Sequence, residues 1–189
     1  MELSEAQLID SVLSGETQGY RDMVERYGQQ VQLVVAQMVE DVEDVAELTQ
    51  DVFVKVFESM EQYDASRASL STWMSRIAYN VAANHLRRWR PKVVRLAEET
   101  LEFLVYSDYQ ESSDNPEIAD LRIEFLDEAI GRLRPEERLL VYLKYYEGRS
   151  LAEISYVMDV REGALASRLK RIRHKLKRLI KILEHETDV

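Results

Sequence analysis

The stretch from residue 71 to residue 91, STWMSRIAYNVAANHLRRWRP, carries the most distinctive side-chain chemistry in this sequence. It combines arginines, asparagines and aromatic rings, and it contains no Asp or Glu. Cations hold phosphates, amides can hydrogen-bond to base edges, and aromatic rings stack on unpaired bases at about 1–3 kcal/mol per base. The stretch therefore has the chemistry of a surface that binds single-stranded nucleic acid.

At about 100° per residue, a helix over this stretch has two distinct faces. The apolar face, which we expect to be buried, consists of Leu70, Met74, Ile77, Ala78, Val81, Ala82, Leu86 and Trp89. The other face carries Arg76, Asn80, Ala83, Asn84 and Arg87, with Trp73 and Tyr79 at its borders. Composition alone leaves open the alternative that both Trp side chains are core anchors and that the arginines only make the surface soluble.

Charge is distributed unevenly along the 189 residues, whose net charge is −10. Residues 1–64 hold three basic and fifteen acidic side chains, and residues 96–131 hold one and eleven. Residues 65–95, in contrast, hold seven basic side chains and no acidic one. A second basic island lies in residues 161–181, with nine Lys or Arg against the single acid Glu162. Each island can present a local positive field to a polyanion although the whole chain is acidic.

Composition and motifs argue against several classes of protein. There is no Cys, which excludes disulfides and thiolate metal sites, and the three His are too far apart in sequence to suggest a metal cluster. No glycine-rich phosphate loop, G-x-S-x-G or H-E-x-x-H motif occurs. No apolar run reaches the roughly 20 residues that span a bilayer, and the acidic N-terminus is unlike a signal peptide. We therefore expect a cytoplasmic protein that is not an enzyme and that uses no cofactor or metal.

The fold class follows from the scarcity of turn residues. Six Gly and three Pro, with few alternating β-branched runs, predict an all-helical chain with short turns. The stretch between Pro91 and Pro116 ends in a polar, acidic run that is typical of a linker. We expect a helical domain at residues 1–91, a linker at 92–117 and a second, smaller helical domain at 118–189.

A second amphipathic helix is predicted over residues 44–60. Its apolar side, expected to lie in the core, consists of Val45, Leu48, Val52, Phe53, Val56 and Met60. The opposite side carries Glu47, Asp51, Lys55 and Glu58, with Val54 among them. This pattern is compatible both with a solvated face that has one stray Val and with a docking face for a partner protein.

Residues 135–181 have the pattern of two short helices followed by a long basic one. Pro135 is expected to start the first helix and Gly148 to end it, and Ser150 and Glu153 form a capping box that opens the second. The last helix has an apolar stripe of Leu165, Leu169, Ile172, Leu176 and Leu179. Its other faces hold Ser167, Lys170, Arg171, Arg173, His174, Lys177, Arg178 and Lys181. This is the helix-turn-helix pattern, although a basic amphipathic helix could also lie on a membrane or bind a partner.

Together, these motifs resemble those of the bacterial extracytoplasmic-function sigma factors, the small two-domain specificity subunits of RNA polymerase. EDVAELTQDVFVKVFESMEQYD is similar to regions 2.1–2.2 of that family, STWMSRIAYNVAANHLRR to regions 2.3–2.4, and residues 133–176 to region 4. The resemblance covers nearly the whole chain. It implies that region 2 and region 4 form separate helical domains that direct polymerase to a two-element promoter.

The resemblance also implies a role for each surface. Docking on core RNA polymerase is implied for Glu47, Gln50, Asp51, Val54 and Lys55. Contact with the melted −10 element, with Asn80 as the base reader, is implied for Trp73, Arg76, Asn80, Asn84, Arg87 and Arg88. Contact with the duplex −35 element is implied for Ser167, Arg168, Lys170, Arg171, His174 and Lys175. The expected partners are core polymerase, promoter DNA and an anti-sigma protein, the last from the family alone.

The last helix departs from the family pattern, which usually begins with Ser-x-Gly-Thr. The matching positions here are Arg161, Gly163 and Ala164, so the N-terminal cap is expected to be weaker by about 1 kcal/mol. Ala166 stands where Lys or Arg is common, which leaves the −35 sequence open. Two other functions also stay open: a sigma-like protein that titrates a regulator without touching DNA, and a stand-alone helix-turn-helix repressor that binds a palindrome as a dimer.

Overall fold

A computed structural model of the chain describes residues 3–89 and 125–187. Within these two ranges every regular element is a helix, so the all-helical prediction is confirmed. The predicted linker at 92–117 and the predicted start of the second domain at residue 118 lie outside the described residues, as does the side chain of Trp89. We call residues 3–89 the N-terminal module and residues 125–187 the C-terminal module.

The N-terminal module consists of four helices. They are α1 (Glu5–Leu13), α2 (Thr17–Met38), α3 (Val42–Glu58) and α4 (Leu70–Trp89), with a 3-10 turn at Met60–Gln62 before α4. Side-chain caps account for two of the helix starts. The Ser4 hydroxyl accepts a hydrogen bond from the backbone N–H of Gln7 before α1. The Asp41 carboxylate accepts from the N–H groups of Glu43 and Asp44 before α3, which satisfies donors that have no partner inside the helix.

The core of the N-terminal module lies between the apolar sides of its helices. On α3, the buried residues are Val45, Leu48, Val52, Phe53 and Val56, and Met60 of the 3-10 turn joins them. On α4, the buried residues include Leu70, Met74, Ala78, Val81 and Ala82, while Ile77 and Leu86 are half-buried. The predicted apolar side of α3 is therefore confirmed, and that of α4 is confirmed with Ile77 and Leu86 only partly buried.

The C-terminal module also consists of four helices. They are α5 (Leu126–Gly131), α6 (Pro135–Val141), α7 (Leu151–Met158) and α8 (Glu162–Thr187), with a π-helical turn at Tyr142–Tyr146 after α6. Pro135 is the first residue of α6, where its missing N–H is no loss. Gly148 has φ +67°, a conformation that glycine adopts without strain, and it separates the π-helical turn from α7. The predicted helix start and stop are both confirmed.

The predicted capping box and apolar stripe organise the rest of this module. The Ser150 hydroxyl accepts from the N–H of Glu153 at 3.2 Å, and the Glu153 carboxylate accepts from the N–H of Ser150 at 2.9 Å. Along α8, the buried residues are Leu165, Leu169, Ile172, Leu176, Ile180 and Leu183. Leu179 is only half-buried. It lies about 50° to one side of the stripe and Ile180 about 50° to the other, so the pattern alone does not choose between them.

The two modules pack against each other. Helix α4 contacts α7, and α2 contacts α6. The sequence did not predict this arrangement, because no pattern of short period along the chain encodes a contact between residues about 80 positions apart.

Truncation of Met74 tests the assigned core of the N-terminal module. Its side chain is fully buried, so Met74→Ala removes apolar contacts and leaves a cavity. We expect the free energy of unfolding to fall by about 2–5 kcal/mol. Val54→Ala on the exposed side of α3 is the control, with an expected change below about 0.5 kcal/mol. Denaturant unfolding followed by circular dichroism measures both, and equal losses in the two variants would contradict the assigned core.

Candidate nucleic-acid interface

The C-terminal half of α4 presents an exposed polar surface. Asn80, Asn84, Arg87 and Arg88 are all exposed, as predicted from the helical projection or from the family motif. The Arg87 guanidinium donates a hydrogen bond to the side-chain oxygen of Asn84, one turn earlier. No acidic side chain occurs between residues 65 and 89. This part of α4 therefore offers amides and cations to a polyanion without an acidic neighbour on the same helix.

Trp73 is not at the border of an exposed face, in contrast to the prediction. Its side chain is buried, with 8% exposed, and its ring centroid lies 5.4 Å from that of Tyr63. The Tyr63 hydroxyl is anchored by a hydrogen bond of 3.1 Å to the backbone oxygen of Ala68. The loop before α4 thus covers the indole, which acts here as a core anchor. The contact of Trp73 with DNA stays a prediction and would require the ring to leave this packing.

Arg76 is half-buried, and the C-terminal module supplies its partners. One guanidinium nitrogen donates to the backbone oxygen of Tyr156 at 3.1 Å. The guanidinium also lies 4.7 Å from the centroid of the Tyr156 ring. A carboxylate oxygen of Asp159, the residue that ends α7, is 4.0 Å away. The predicted cationic side chain is therefore engaged by α7 rather than open to solvent.

Arg149 makes the most extensive polar contact between the modules. It lies in the short segment between the π-helical turn and α7, and only 7% of it is exposed. Its guanidinium donates to the hydroxyls of Ser71 (3.1 Å), Thr72 (3.0 Å) and Ser75 (3.0 Å), all on α4. Within its own module it pairs with the carboxylate of Glu147. Sequence reasoning missed this residue, because a single Arg in a turn carries no periodic signal.

Two of the three hydroxyls that receive Arg149 are held in place by Gln30 of α2. The Gln30 amide donates to the Ser75 hydroxyl at 2.9 Å, and the Ser71 hydroxyl donates to the Gln30 oxygen at 2.9 Å. The Ser75 hydroxyl also donates to the backbone oxygen of Ser71 at 2.9 Å. We call Gln30, Ser71, Thr72 and Ser75 the hydroxyl cradle, although Gln30 contributes an amide. Nothing in the sequence pattern predicted this cluster.

Arg138 of α6 makes a third polar contact between the modules. Its Nε donates to the backbone oxygen of Gln37 at 2.9 Å, near the end of α2. Its terminal nitrogen lies 3.3 Å from a carboxylate oxygen of Glu40. Arg76, Arg138 and Arg149 therefore each bond to the module to which they do not belong.

The electrostatic environment of Tyr79 shows how closely the C-terminal module approaches α4. Burial is the main cause that raises the pKa of the Tyr79 hydroxyl, and the charge of Glu136 raises it further. Arg168 of α8 lowers the pKa, Asp159 raises it, and Arg87 lowers it. Three of these four charges belong to the C-terminal module, so the start of α8 also lies near the middle of α4.

The basic face of α8 is largely as predicted. Ser167, Arg168, Lys170, Arg171 and His174 are exposed. Lys175 differs, because it is half-buried and its ammonium lies 2.7 Å from the Glu137 carboxylate of α6. The helix begins at Glu162, directly after Arg161.

The predicted docking face lies on the outer side of α3. Its members Glu47, Gln50, Asp51, Val54 and Lys55 are all exposed. Val54 is 53% exposed, which makes it an apolar side chain on an otherwise charged surface. This exposure is compatible with either of the two interpretations left open by the sequence.

The described ranges give no indication of a metal site or a membrane span. Residues 3–89 and 125–187 contain no group of three or more His, Cys, Asp or Glu side chains that could hold a metal ion. No helix in that part of the chain combines the length and the apolar character needed to cross a membrane. Every fully buried side-chain nitrogen or oxygen atom there has a hydrogen-bond partner.

Comparison with known proteins gives two family matches and several full-length relatives. The family model Sigma-70 region 2 matches residues 23–91, and the model Sigma-70, region 4 matches residues 124–176. ECF RNA polymerase sigma factor SigW of Bacillus subtilis (strain 168) is 26% identical, over 97% of this chain and 100% of its own length. RNA polymerase sigma-H factor of Pseudomonas aeruginosa is 28% identical, over 95% of each chain.

Two solved structures have a similar fold. One is CnrH in complex with the cytosolic domain of CnrY, with a TM-score of 0.62 and 22% identity over 93% of this chain and 96% of that one. The other is the sigma factor RpoE in complex with the anti-sigma factor NepR from Bartonella quintana, with a TM-score of 0.59 and 18% identity. That match covers 86% of this chain and 97% of the other.

The capping box of α7 makes stability depend on pH. Hydrogen bonds from the hydroxyl and the N–H of Ser150 are the main causes that lower the pKa of Glu153, and the Arg149 charge lowers it further. A lowered pKa stabilises the fold above the ordinary value of 4.5, and this stability is lost as the pH falls through the folded-state pKa.

We expect Glu153→Gln to remove this pH-dependent stability. The variant should be less stable than wild type near neutral pH and should lose less stability on acidification to about pH 3. Ser150→Ala, which removes the capping hydroxyl, should cost about 1 kcal/mol near neutral pH. Denaturant unfolding at both pH values measures these effects. An acid dependence of Glu153→Gln equal to that of wild type would show that this carboxylate does not contribute.

Proposed function

The chain belongs to the extracytoplasmic-function sigma factors, and from this premise we propose a specific role for each of its exposed surfaces in promoter recognition. As a sigma factor it confers promoter specificity on bacterial RNA polymerase. We place region 2 at residues 1–91, the linker at 92–117 and region 4 at 118–189. In this scheme the chain acts in the cytoplasm, without catalysis, as a subunit that selects where transcription begins.

The exposed half of α4 receives the melted −10 strand. The observation that carries this proposal is the absence of any acidic side chain from residues 65–89 in a chain of net charge −10. A carboxylate on this surface would lie against phosphates and repel them. Arg87 and Arg88 are exposed and can hold the backbone, while the exposed amide of Asn80 can hydrogen-bond to a base edge.

The exposed face of α8 reads the −35 element as duplex. The helix follows the capped α7 through a short break, which is the arrangement that places a recognition helix in the major groove. The proposed contacts to groove and phosphates are Ser167, Arg168, Lys170, Arg171 and His174, with Lys175 added if phosphate replaces its Glu137 partner. Ala166 contributes no charge at a position where the family commonly has one.

The outer face of α3 docks on core polymerase. Val54 gives this face an apolar centre, and the exposed Glu47, Asp51 and Lys55 surround it with charge. A small apolar contact within a charged surface suits a partner with complementary charges, because charge sets orientation while apolar burial supplies affinity.

An anti-sigma protein is a further proposed partner. CnrH and RpoE, whose structures are similar to this one, are each described as a complex, with CnrY and with the anti-sigma factor NepR. We extend this kind of partner to the present chain.

Two single substitutions separate the proposed DNA contacts. Asn80→Ala should weaken the recognition of the melted strand, and Arg171→Ala that of the duplex, each by about 1–3 kcal/mol, or roughly 5- to 150-fold. Run-off transcription with core polymerase on a randomised promoter library measures both. We expect Asn80→Ala to relax selection in the −10 element only and Arg171→Ala in the −35 element only.

The controls are matched by chemistry and exposure. Gln29→Ala removes another exposed amide, on α2, and Lys181→Ala removes another exposed cation from α8. Neither should change promoter selection. Full activity of both Asn80→Ala and Arg171→Ala would contradict the residue assignments. Failure of the wild-type chain to bind core polymerase would favour a protein that titrates a regulator, and tight operator binding without polymerase would favour a repressor.

A further inference from the structure

The C-terminal module covers part of the surface that the proposed function assigns to DNA. Helix α7 and the Arg149 segment before it bond to the first half of α4, at Ser71, Thr72, Ser75 and Arg76. Arg76, one turn before Asn80, is engaged by the Tyr156 carbonyl and lies near Asp159. A DNA strand that followed α4 toward its start would therefore meet α7 instead of solvent.

Arg149 makes the largest number of side-chain hydrogen bonds in this contact. Its guanidinium is buried between the modules, and three of its four partners are hydroxyls of the opposite module. A planar guanidinium with fixed donor directions can satisfy several acceptors at once, which an ammonium on a flexible stem does less well. Of these four partners, only Glu147 belongs to the C-terminal module. The main structural role of the Arg149 guanidinium is therefore to join the two modules.

The chemistry of the contact suits a surface that must also bind DNA. A carboxylate on α4 would hold Arg149 more strongly, but it would repel the phosphate backbone after the modules separate. The hydroxyl cradle provides acceptors that are neutral, so α4 can bind a cation in one state and lie near phosphates in another. The acidic charges near Arg149 come from Glu147 and Glu153, which both leave with the C-terminal module.

We propose that Arg149 holds the free chain in a closed form that screens the Arg76 end of the strand-binding surface of α4, so that promoter binding along the whole helix requires its release from the hydroxyl cradle. This proposal rests on the proposed role of α4 in binding the −10 strand. Only the molecules that have opened can bind a strand along the whole of α4, so the apparent affinity of the free chain is the intrinsic affinity multiplied by the opened fraction.

The test is Arg149→Gln in the full-length chain. Small-angle X-ray scattering gives the radius of gyration. Fluorescence anisotropy gives the affinity for a labelled single-stranded DNA of mixed sequence and about 15 nucleotides, without polymerase. We expect Arg149→Gln to increase the radius of gyration and to raise the affinity about tenfold or more.

The matched control is Arg132→Gln, which removes the same charge from the same module. Arg132 forms an ion pair with Glu128 of its own module, at 2.8 Å. This variant should keep the radius of gyration and the affinity of wild type. The difference between the two variants therefore reports on the contact between the modules and not on net charge.

A second variant changes the α4 side of the same contact. Ser71→Ala combined with Ser75→Ala removes two acceptors of the Arg149 guanidinium, and neither residue belongs to the proposed DNA contacts. We expect the same opening and the same gain in affinity. Circular dichroism checks that the helical content is kept, so this pair carries the test if Arg149→Gln does not fold.

The possible results distinguish a failure of the proposed Arg149 contact from a failure of the proposed function. An unchanged radius of gyration in both folded variants would overturn the proposal, while promoter-dependent transcription could remain normal. An increased radius without a gain in affinity would overturn the claim that closure screens the DNA surface. Scattering does not involve DNA, so a failure of the proposed function itself would appear separately, as normal promoter selection by Asn80→Ala.

Discussion

One helix has to satisfy three environments, and this constraint organises the rest of the structure. Helix α4 buries an apolar face in the core of region 2, contacts region 4 along its first half, and presents a cationic, amide-bearing surface along its second half. The proposed binding of phosphates by this surface explains why the helix carries no carboxylate. Polar contacts between α4 and region 4 must therefore use hydroxyls as acceptors, as in the hydroxyl cradle, or take their acceptors from region 4, as Arg76 does from Tyr156.

The same constraint gives the acidity of the chain a physical purpose. The acidic side chains lie in the rest of the chain, on either side of residues 65–95. In the proposed scheme they keep the protein soluble and oppose non-specific attraction to duplex DNA. Within region 4, Glu137 pairs with Lys175 and Glu147 pairs with Arg149, so two of its basic residues are already engaged in the closed form. Partial neutralisation and closure act in the same direction, because each reduces the positive surface that the free protein offers to DNA. A larger enzyme that separates the modules would uncover the first half of α4, whereas Lys175 would still need phosphate to replace Glu137.

Periodic features were predictable from the sequence, and contacts between distant residues were not. The buried sides of α3 and α4, the Ser150 capping box and the start of α6 at Pro135 follow from short-range rules that the structure confirms. Trp73 was assigned to a border because a projection ignores neighbours, and a loop residue, Tyr63, covers it. Arg149 could not be found in the same way, because its role depends on three hydroxyls more than 70 positions earlier in the chain.

The separation of the two modules during promoter binding is the central claim, and a distance measurement tests it most directly. The chain has no Cys, so Gln18→Cys on α2 and Lys181→Cys on α8, both at exposed positions, provide unique labelling sites. Energy transfer between dyes at these sites should report a single distance in the free protein. In a complex with core polymerase and double-stranded promoter DNA, a clearly different distance should replace it. The same distance in the free protein and in a complex that is competent to transcribe would contradict the account.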